Sequence, residues 1–266
     1  RVARIAARGG VPTHYRKVGR IEILTSPNAA EGAQAKIDAA ATRWADLGTT
    51  RLRRADREEV RELAPHAAAS PNGYLLDDVT AQIDPPAFAA ALAAAARADG
   101  AAVVEGTPVR HIAADAKGVT VTTDTAEHRG NHVVVASGRT VPSIVGARAV
   151  PMSGVKGEAM MLPDAADATA RPVITGPGGF AIARSDALFI GSTADKTAPH
   201  ESTVTLDGLS ALMGRCRKLT TIAPEAHAKR VWSGIRPAAP DGQPVLGRHP
   251  DAPRVILALG PFKTGL

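Results

Sequence analysis

The stretch from residue 231 to the end constrains this chain most. Val231-Trp-Ser-Gly-Ile-Arg236-Pro-Ala-Ala-Pro-Asp241-Gly-Gln-Pro reads as a strand carrying Arg236, followed by a Pro/Asp/Gly-rich reversal. Residues 255–259 are all apolar and predict a buried strand. They run into Gly260-Pro-Phe-Lys-Thr-Gly265, a glycine-bounded turn placed to open a helix. A helix start presents free N–H groups and a positive dipole end, which suits negative charge on a ligand. Arg236, fixed between Ile235 and Pro237, offers a planar five-donor fork that matches a carboxylate. Asp241, beside Gly242, reads as a turn residue.

A second apolar run, residues 132–136, has the length and composition of a parallel strand covered on both faces. It ends in Ser137-Gly138, where a missing side chain would let a dinucleotide lie against the backbone. Asp84-Pro85-Pro86 predicts a helix start with Asp84 as N-cap; Phe88, Leu92 and Ala95 share one face, and Gly100 ends the helix. Asp56 and Glu59 form a candidate capping box for a short helix to Leu63. Residues 14–24 read as a strand or hairpin, and 28–47 as one helix with Trp44 and Leu47 on one side. Residues 101–105 and 108–112 read as strands, and 118–124 as a half-exposed hairpin strand. Further strands are expected over 171–174, 180–184 and 187–193, then a helix over 206–217 and a strand carrying Trp232.

Composition narrows the function classes. The net charge is +6, from 32 basic and 26 acidic residues that are mostly interleaved. No basic cluster with interleaved aromatics occurs, so nucleic acid is not an expected partner, whereas anionic ligands are. Cys216 is the single cysteine, which excludes an internal disulfide and reads as a small buried apolar residue. The eight His have no metal-ligand spacing, so no metal site is expected. No apolar run reaches membrane-spanning length, and no signal-peptide core opens the chain, so the expected location is cytoplasmic. A homo-oligomer stays open.

Taken together, Trp232-Ser-Gly-Ile-Arg-Pro, the Asp241-Gly-Gln-Pro turn and Gly247-Arg-His-Pro resemble the flavin and substrate region of the glycine oxidases. These belong to the D-amino-acid-oxidase-like family of FAD-dependent amine oxidases. Gly106-Thr-Pro-Val109, Asn131-His-Val-Val-Val-Ala-Ser-Gly138, Val155-Lys-Gly-Glu158 and the segment 180–184 are similar to further family stretches. The resemblance implies a mixed α/β (α+β) fold, with an FAD-binding-like domain interleaved with an antiparallel-sheet substrate domain. It divides the chain into 1–80 (substrate domain, connecting helices), 81–148 (FAD-binding), 149–231 (substrate sheet) and 232–266 (FAD-binding).

The resemblance further implies FAD as cofactor, a small amino acid or amine as substrate and oxygen as electron acceptor. Arg236 would grip the substrate carboxylate, with Phe180 and Lys263 also at the substrate. Val109, Ala136, Ser137, Gly138, Gly260, Phe262, Lys263, Thr264, Gly265 and Leu266 would lie along the cofactor. Three family polar groups differ here: Phe180 replaces a tyrosine, Lys263 an arginine, and Pro261 a histidine. These departures point away from glycine as the preferred substrate. Another amine or 2-hydroxy-acid oxidising flavoenzyme of the same family, or a non-catalytic fragment, are the alternative expectations. Because the family's Gly-x-Gly-x-x-Gly unit is not in this stretch, the chain is expected to be an internal fragment that alone binds FAD weakly or not at all.

Overall fold

The fold comes from a computed structural model that describes residues 2–43, 45, 52–163, 171–184, 187–198, 200–222 and 225–262. The expected positions of Trp44 and Leu47 lie outside the described residues. Two compact units interleave along the chain. One comprises Arg1–Val103, Glu158–Thr193 and Val204–Trp232; the other comprises Val104–Gly157, Ala194–Thr203 and Ser233–Leu266. The divisions expected at 80/81, 148/149 and 231/232 have their nearest counterparts here at 103/104, 157/158 and 232/233, and residues 81–103 fold with the first unit.

In chain order the first segment holds α1 (Val2–Gly9), β1 (Arg16–Lys17), β2 (Arg20–Ile23), α2 (Pro27–Glu31) and α3 (Ala33–Arg43). It continues with β3 (Arg53–Ala55), α4 (Arg57–Leu63), β4 (Tyr74–Asp77), β5 (Ala81–Gln82) and α5 (Pro85–Ala98). The caps follow the sequence: Asp84 accepts from Ala87 N at 3.0 Å and Asp56 from Glu59 N at 2.9 Å. The capping box closes on one side only, because the Glu59 carboxylate pairs with Arg53 instead of reaching back. The single helix expected over 28–47 breaks at Gly32, a poor helix former. Residues 14–24 are no hairpin either. β1 pairs with β5 while β2 pairs with β4, and Gly19 makes the bend at φ +75°. On α5 the buried face is Phe88, Ala91 and Ala95, with Leu92 exposed.

The middle of the chain supplies β6 (Val109–Ala114), β7 (Val119–Thr123), β8 (Glu127–Gly130), β9 (Val133–Val135), β10 (Ser143–Ile144) and β11 (Ser153–Pro163). Residues 101–105 form no strand: they are largely exposed and join no sheet among the described residues. Then come β12 (Val173–Gly176), β13 (Gly179–Arg184), β14 (Ala187–Gly191), α6 (Leu206–Leu219), β15 (Arg230–Ala238), β16 (Val245–His249) and β17 (Ala252–Leu259).

In the first unit, β11, β14, β13, β12, β2, β4 and β3 lie side by side, mostly antiparallel. Strand alternation sorts their side chains. One face sends Ile21, Met160, Ala181, Leu188 and Ile190 into a core closed by Leu212, Cys216 and Leu219 of α6. Cys216 is thus the buried apolar residue its sequence suggests. Full burial of each such Leu or Ile contributes about 1.5–3 kcal/mol. The N-terminus of α6 carries a second anchor. Thr205 caps it by accepting from Gly208 N at 3.1 Å, and Glu158, 1% exposed, accepts from Thr205 N and Oγ1 at 2.9 and 3.1 Å. The positive end of a helix suits that carboxylate.

In the second unit, β17 pairs in parallel with β9 and antiparallel with β16. Val135, Val255, Leu257 and Leu259 share a core with Ile112 and Ile144. Arg254 clamps this unit by donating to the Asp115, Asn131 and Ala116 carbonyls. The expected cover of β9 on both faces does not hold among the described residues: Val134 is 59% exposed while Val135 is buried.

Gly208 and Gly214 share α6 but not surroundings. A Cβ at Gly208 would stand 2.7 Å from Glu158 Oε1 and overlap Oε2, whereas one at Gly214 meets nothing within 4 Å. Gly208→Ala is expected to cost about 3 kcal/mol or more by displacing a buried, hydrogen-bonded carboxylate. Gly214→Ala should stabilise by about 0.5–1 kcal/mol. Urea midpoints of the two variants check this, and equal effects would refute the assignment.

Candidate functional site

The second unit brings several expected site residues together around Pro237. β9 ends at Val135, and exposed Ala136 and Ser137 lead to Gly138 at φ +70°. A Cβ at Gly138 would meet only Pro237 Cγ, at 3.9 Å, so the turn is open to an approaching group. On the other side, Phe262 N donates to Pro237 O at 3.2 Å, and Pro261 bridges Ala238. Parallel strands β9 and β17 therefore both run, at their carboxyl ends, into left-handed glycine turns that flank β15. In parallel sheets this end is where ligands bind.

The two glycines differ in reason. Gly260 (φ +61°) is a packing glycine, since a Cβ there would stand 3.0 Å from Met152 Cε and 3.2 Å from Ala239 N. Phe262 takes a left-handed φ of +46° without being glycine. Val109 starts β6, in the separate four-stranded sheet of the same unit, and is 38% exposed. Lys263, Thr264, Gly265 and Leu266 lie outside the described residues.

Arg236 precedes Pro237 on β15. Its guanidinium lies flat on the backbone of Gly157, so that a Cβ at 157 would stand 2.5 Å from Cζ. Burial pushes the Arg236 pKa below the usual arginine value, which marks a charge with reduced access to water. The adjacent Lys156 is 1% exposed, with Nζ 3.9 Å from Asp195 Oδ2 and 3.4 Å from Thr203 O. Lys156-Gly-Glu158 has the composition of an ordinary surface turn, yet all three residues lie within β11 and both charged ones are buried. The Asp241 reading holds, with Oδ1 accepting from Gln243 N at 3.0 Å.

In the first unit, the sheet face opposite the core floors a cavity of about 930 Å³, roofed by residues 80–86. Phe180 lies in its floor, its ring against Gly191. Trp232 is in its wall, half-buried, and meets Phe189 edge-on at 5.9 Å. Arg184 sits 4.6 Å from the Phe189 ring centre, donates to Ile83 O and pairs with Asp84 at 3.3 Å. Burial pushes the Arg184 pKa down, opposed by the Asp84 charge. Gln82 and Arg184 also line this cavity; Gln82 Oε1 and Arg184 Nε are buried without a hydrogen-bond partner among the described residues. Sequence reasoning missed this cavity, because strand register, not local pattern, assembles it.

The family model for FAD dependent oxidoreductases (DAO) matches residues 1–266. The chain belongs to this family. It is 30% identical over 216 residues to a glycine oxidase of Bacillus subtilis (strain 168), covering 79% of this chain and 57% of that protein. It is 28% identical over 264 residues to a glycine oxidase of Geobacillus kaustophilus (strain HTA426), covering 97% of this chain and 68% of that one. The crystal structure of glycine oxidase from Geobacillus kaustophilus superimposes with a TM-score of 0.83 at 26% identity, covering 99% of this chain and 70% of that chain. The chain thus spans a little over half to about two thirds of the length of these relatives. FAD is the family's cofactor. The open backbone at Gly138, beside a second glycine turn at the same sheet end, suits a dinucleotide lying against it. No membrane-spanning helix occurs among the described residues.

Gly138→Ala tests that fit. Space allows the methyl, so the cost to stability is the left-handed backbone alone, about 1–2 kcal/mol. FAD affinity, measured by flavin fluorescence on protein from the complete reading frame, should fall by more than tenfold. Unchanged affinity would show that no cofactor passes Gly138.

Proposed function

We propose that the protein carries out FAD-dependent oxidative deamination of a small amino acid or amine, giving a keto acid, ammonia and hydrogen peroxide. The observation that carries this reading is Arg236 seated on Gly157, one residue from Pro237, against which both glycine turns pack. When bound, FAD supplies the two-electron oxidation of the carbon–nitrogen bond. The chain supplies position. Arg236 holds the substrate carboxylate in a bidentate pair, and the depressed solvation of its guanidinium strengthens that pairing. A fixed carboxylate restricts the α C–H to one approach, which is where orientation lowers the barrier. The neutral substrate amine needs no dedicated base, and water hydrolyses the imine product. Oxygen, as acceptor, leaves as peroxide.

Phe180 offers no hydroxyl to the substrate and makes an apolar surface instead. Lys263 is assigned a supporting positive charge near the carboxylate. Ala136, Ser137 and Gly138 would line the cofactor, with Phe262, Thr264, Gly265 and Leu266 beside it and Val109 toward its adenine. By the same reading, the second unit is the FAD-binding part and the sheet of the first unit the substrate part.

With protein expressed from its complete reading frame and loaded with FAD, peroxide release over a panel of amines identifies the best substrate. On it, Arg236→Ala should lower kcat/KM by about 100-fold or more, the loss expected when one partner of a buried charge pair is removed. Arg236→Lys, which keeps the charge and loses the fork, should fall between. Turnover of the best amine by Arg236→Ala at the unmodified rate would sink the proposal.

A further inference from the structure

The cavity in the first unit is larger than glycine needs. At about 930 Å³ it lies at the upper end of the roughly 300–1,000 Å³ that holds drug-sized ligands. Strand register sets out its floor in rungs. Phe180 lies opposite Gly191, which in turn faces Ala159. One rung on, Ile182 faces Phe189 and Phe189 faces Met161. At this second rung Lys229 N donates to Met161 O at 2.8 Å, which sets the neighbouring Arg230 at its outer end. The floor beyond Phe180 is therefore apolar over Ile182, Phe189 and Met161, and cations bound it at Arg184 along β13 and at Arg230 across the sheet.

Aromatic placement supports a built pocket. The chain has four Phe, two Trp and two Tyr, and three of these eight, Phe180, Phe189 and Trp232, line this one cavity. Arg230 lies 5.8 Å from the Trp232 ring, Trp232 meets Phe189, and Arg184 covers Phe189. A cation–aromatic–aromatic–cation ladder thus runs along the wall.

The charges in this wall do not cancel. Arg20 is held by Asp77 at 2.9 Å and Arg184 by Asp84 at 3.3 Å. Arg230 has no carboxylate within ion-pair distance among the described residues. An uncompensated guanidinium at the rim of a concave, largely apolar site concentrates the field on an anion, and ring stacking leaves its donor edge available for a carboxylate.

We infer that this cavity selects an amine substrate with a long apolar substituent ending in a carboxylate, the substituent lying over Ile182, Phe189 and Met161 and the carboxylate meeting Arg230. This rests on the amine-oxidising reading. Arg230 is then a specificity-determining residue and takes no part in the oxidation.

The test uses FAD-loaded protein from the complete reading frame and two matched series of α-amino acids of increasing chain length, one ending in a carboxylate and one in a methyl group. At the best length the carboxylate member should exceed its methyl partner in kcat/KM by about tenfold, and Arg230→Met should bring that ratio toward one. A binding readout separates this inference from the catalytic one. Aliphatic α,ω-dicarboxylates should change the tryptophan fluorescence of the unmodified protein, and Arg230→Met should abolish the change. Dicarboxylate binding that needs Arg230, in a protein that oxidises no amine, would support the pocket and sink the oxidase reading. A ratio near one in the unmodified protein, or a ratio that Arg230→Met leaves intact, would overturn the inference.

Discussion

A guanidinium can lie flat against a strand only where no side chain stands in its way, and the structure depends on one such place. Gly157 provides it for Arg236. The neighbours of Gly157 explain why the position is so fixed. Lys156 before it and Glu158 after it are each 1% exposed, the first near Asp195 and Thr203, the second bound to the N-cap of α6. Burying charges is costly unless they are paired or hydrogen-bonded, so these two side chains allow the strand little freedom to slip or rotate. Three consecutive residues of β11 thus carry three separate duties, and none of them could take another's place.

What the sequence made legible was local. Asp84 before two prolines has its mechanism within four residues, and the cap forms as expected. The Asp241 turn and the glycine ends of the two parallel strands belong to the same class. Arg236 stood out because isoleucine and proline enclose it. Local pattern misled where a distant partner decided the outcome. Glu59 turned to Arg53 rather than closing its capping box. Residues 101–105 had strand composition but joined no sheet among the described residues. The helix face of α5 ran through Ala91 rather than Leu92, because the backbone of Gly9 in α1 packs so close to Ala91 that a Cβ there would stand 2.8 Å from its Cα.

The candidate site was half legible for the same reason. Motif order pointed to Arg236, Gly138 and Gly260. The cavity around Phe180 was invisible, since its floor is drawn from β11, β12, β13 and β14, and only their register brings Ile182, Phe189 and Met161 into line. Register is a property of pairing, not of any one segment. Nothing local in the sequence indicates that three of its eight aromatic residues, Phe180, Phe189 and Trp232, meet in one cavity.

If Gly157 serves Arg236, the two positions are energetically coupled, and a double-mutant cycle measures that coupling directly. The quantity is acetate affinity, followed through the flavin absorption of FAD-loaded protein from the complete reading frame. Gly157→Ala should weaken acetate binding by about tenfold, or about 1.4 kcal/mol, when Arg236 is present, and should change nothing further in an Arg236→Ala background. The same loss in both backgrounds would mean that Gly157 acts on something other than this arginine, and would contradict its role as the seat of the guanidinium.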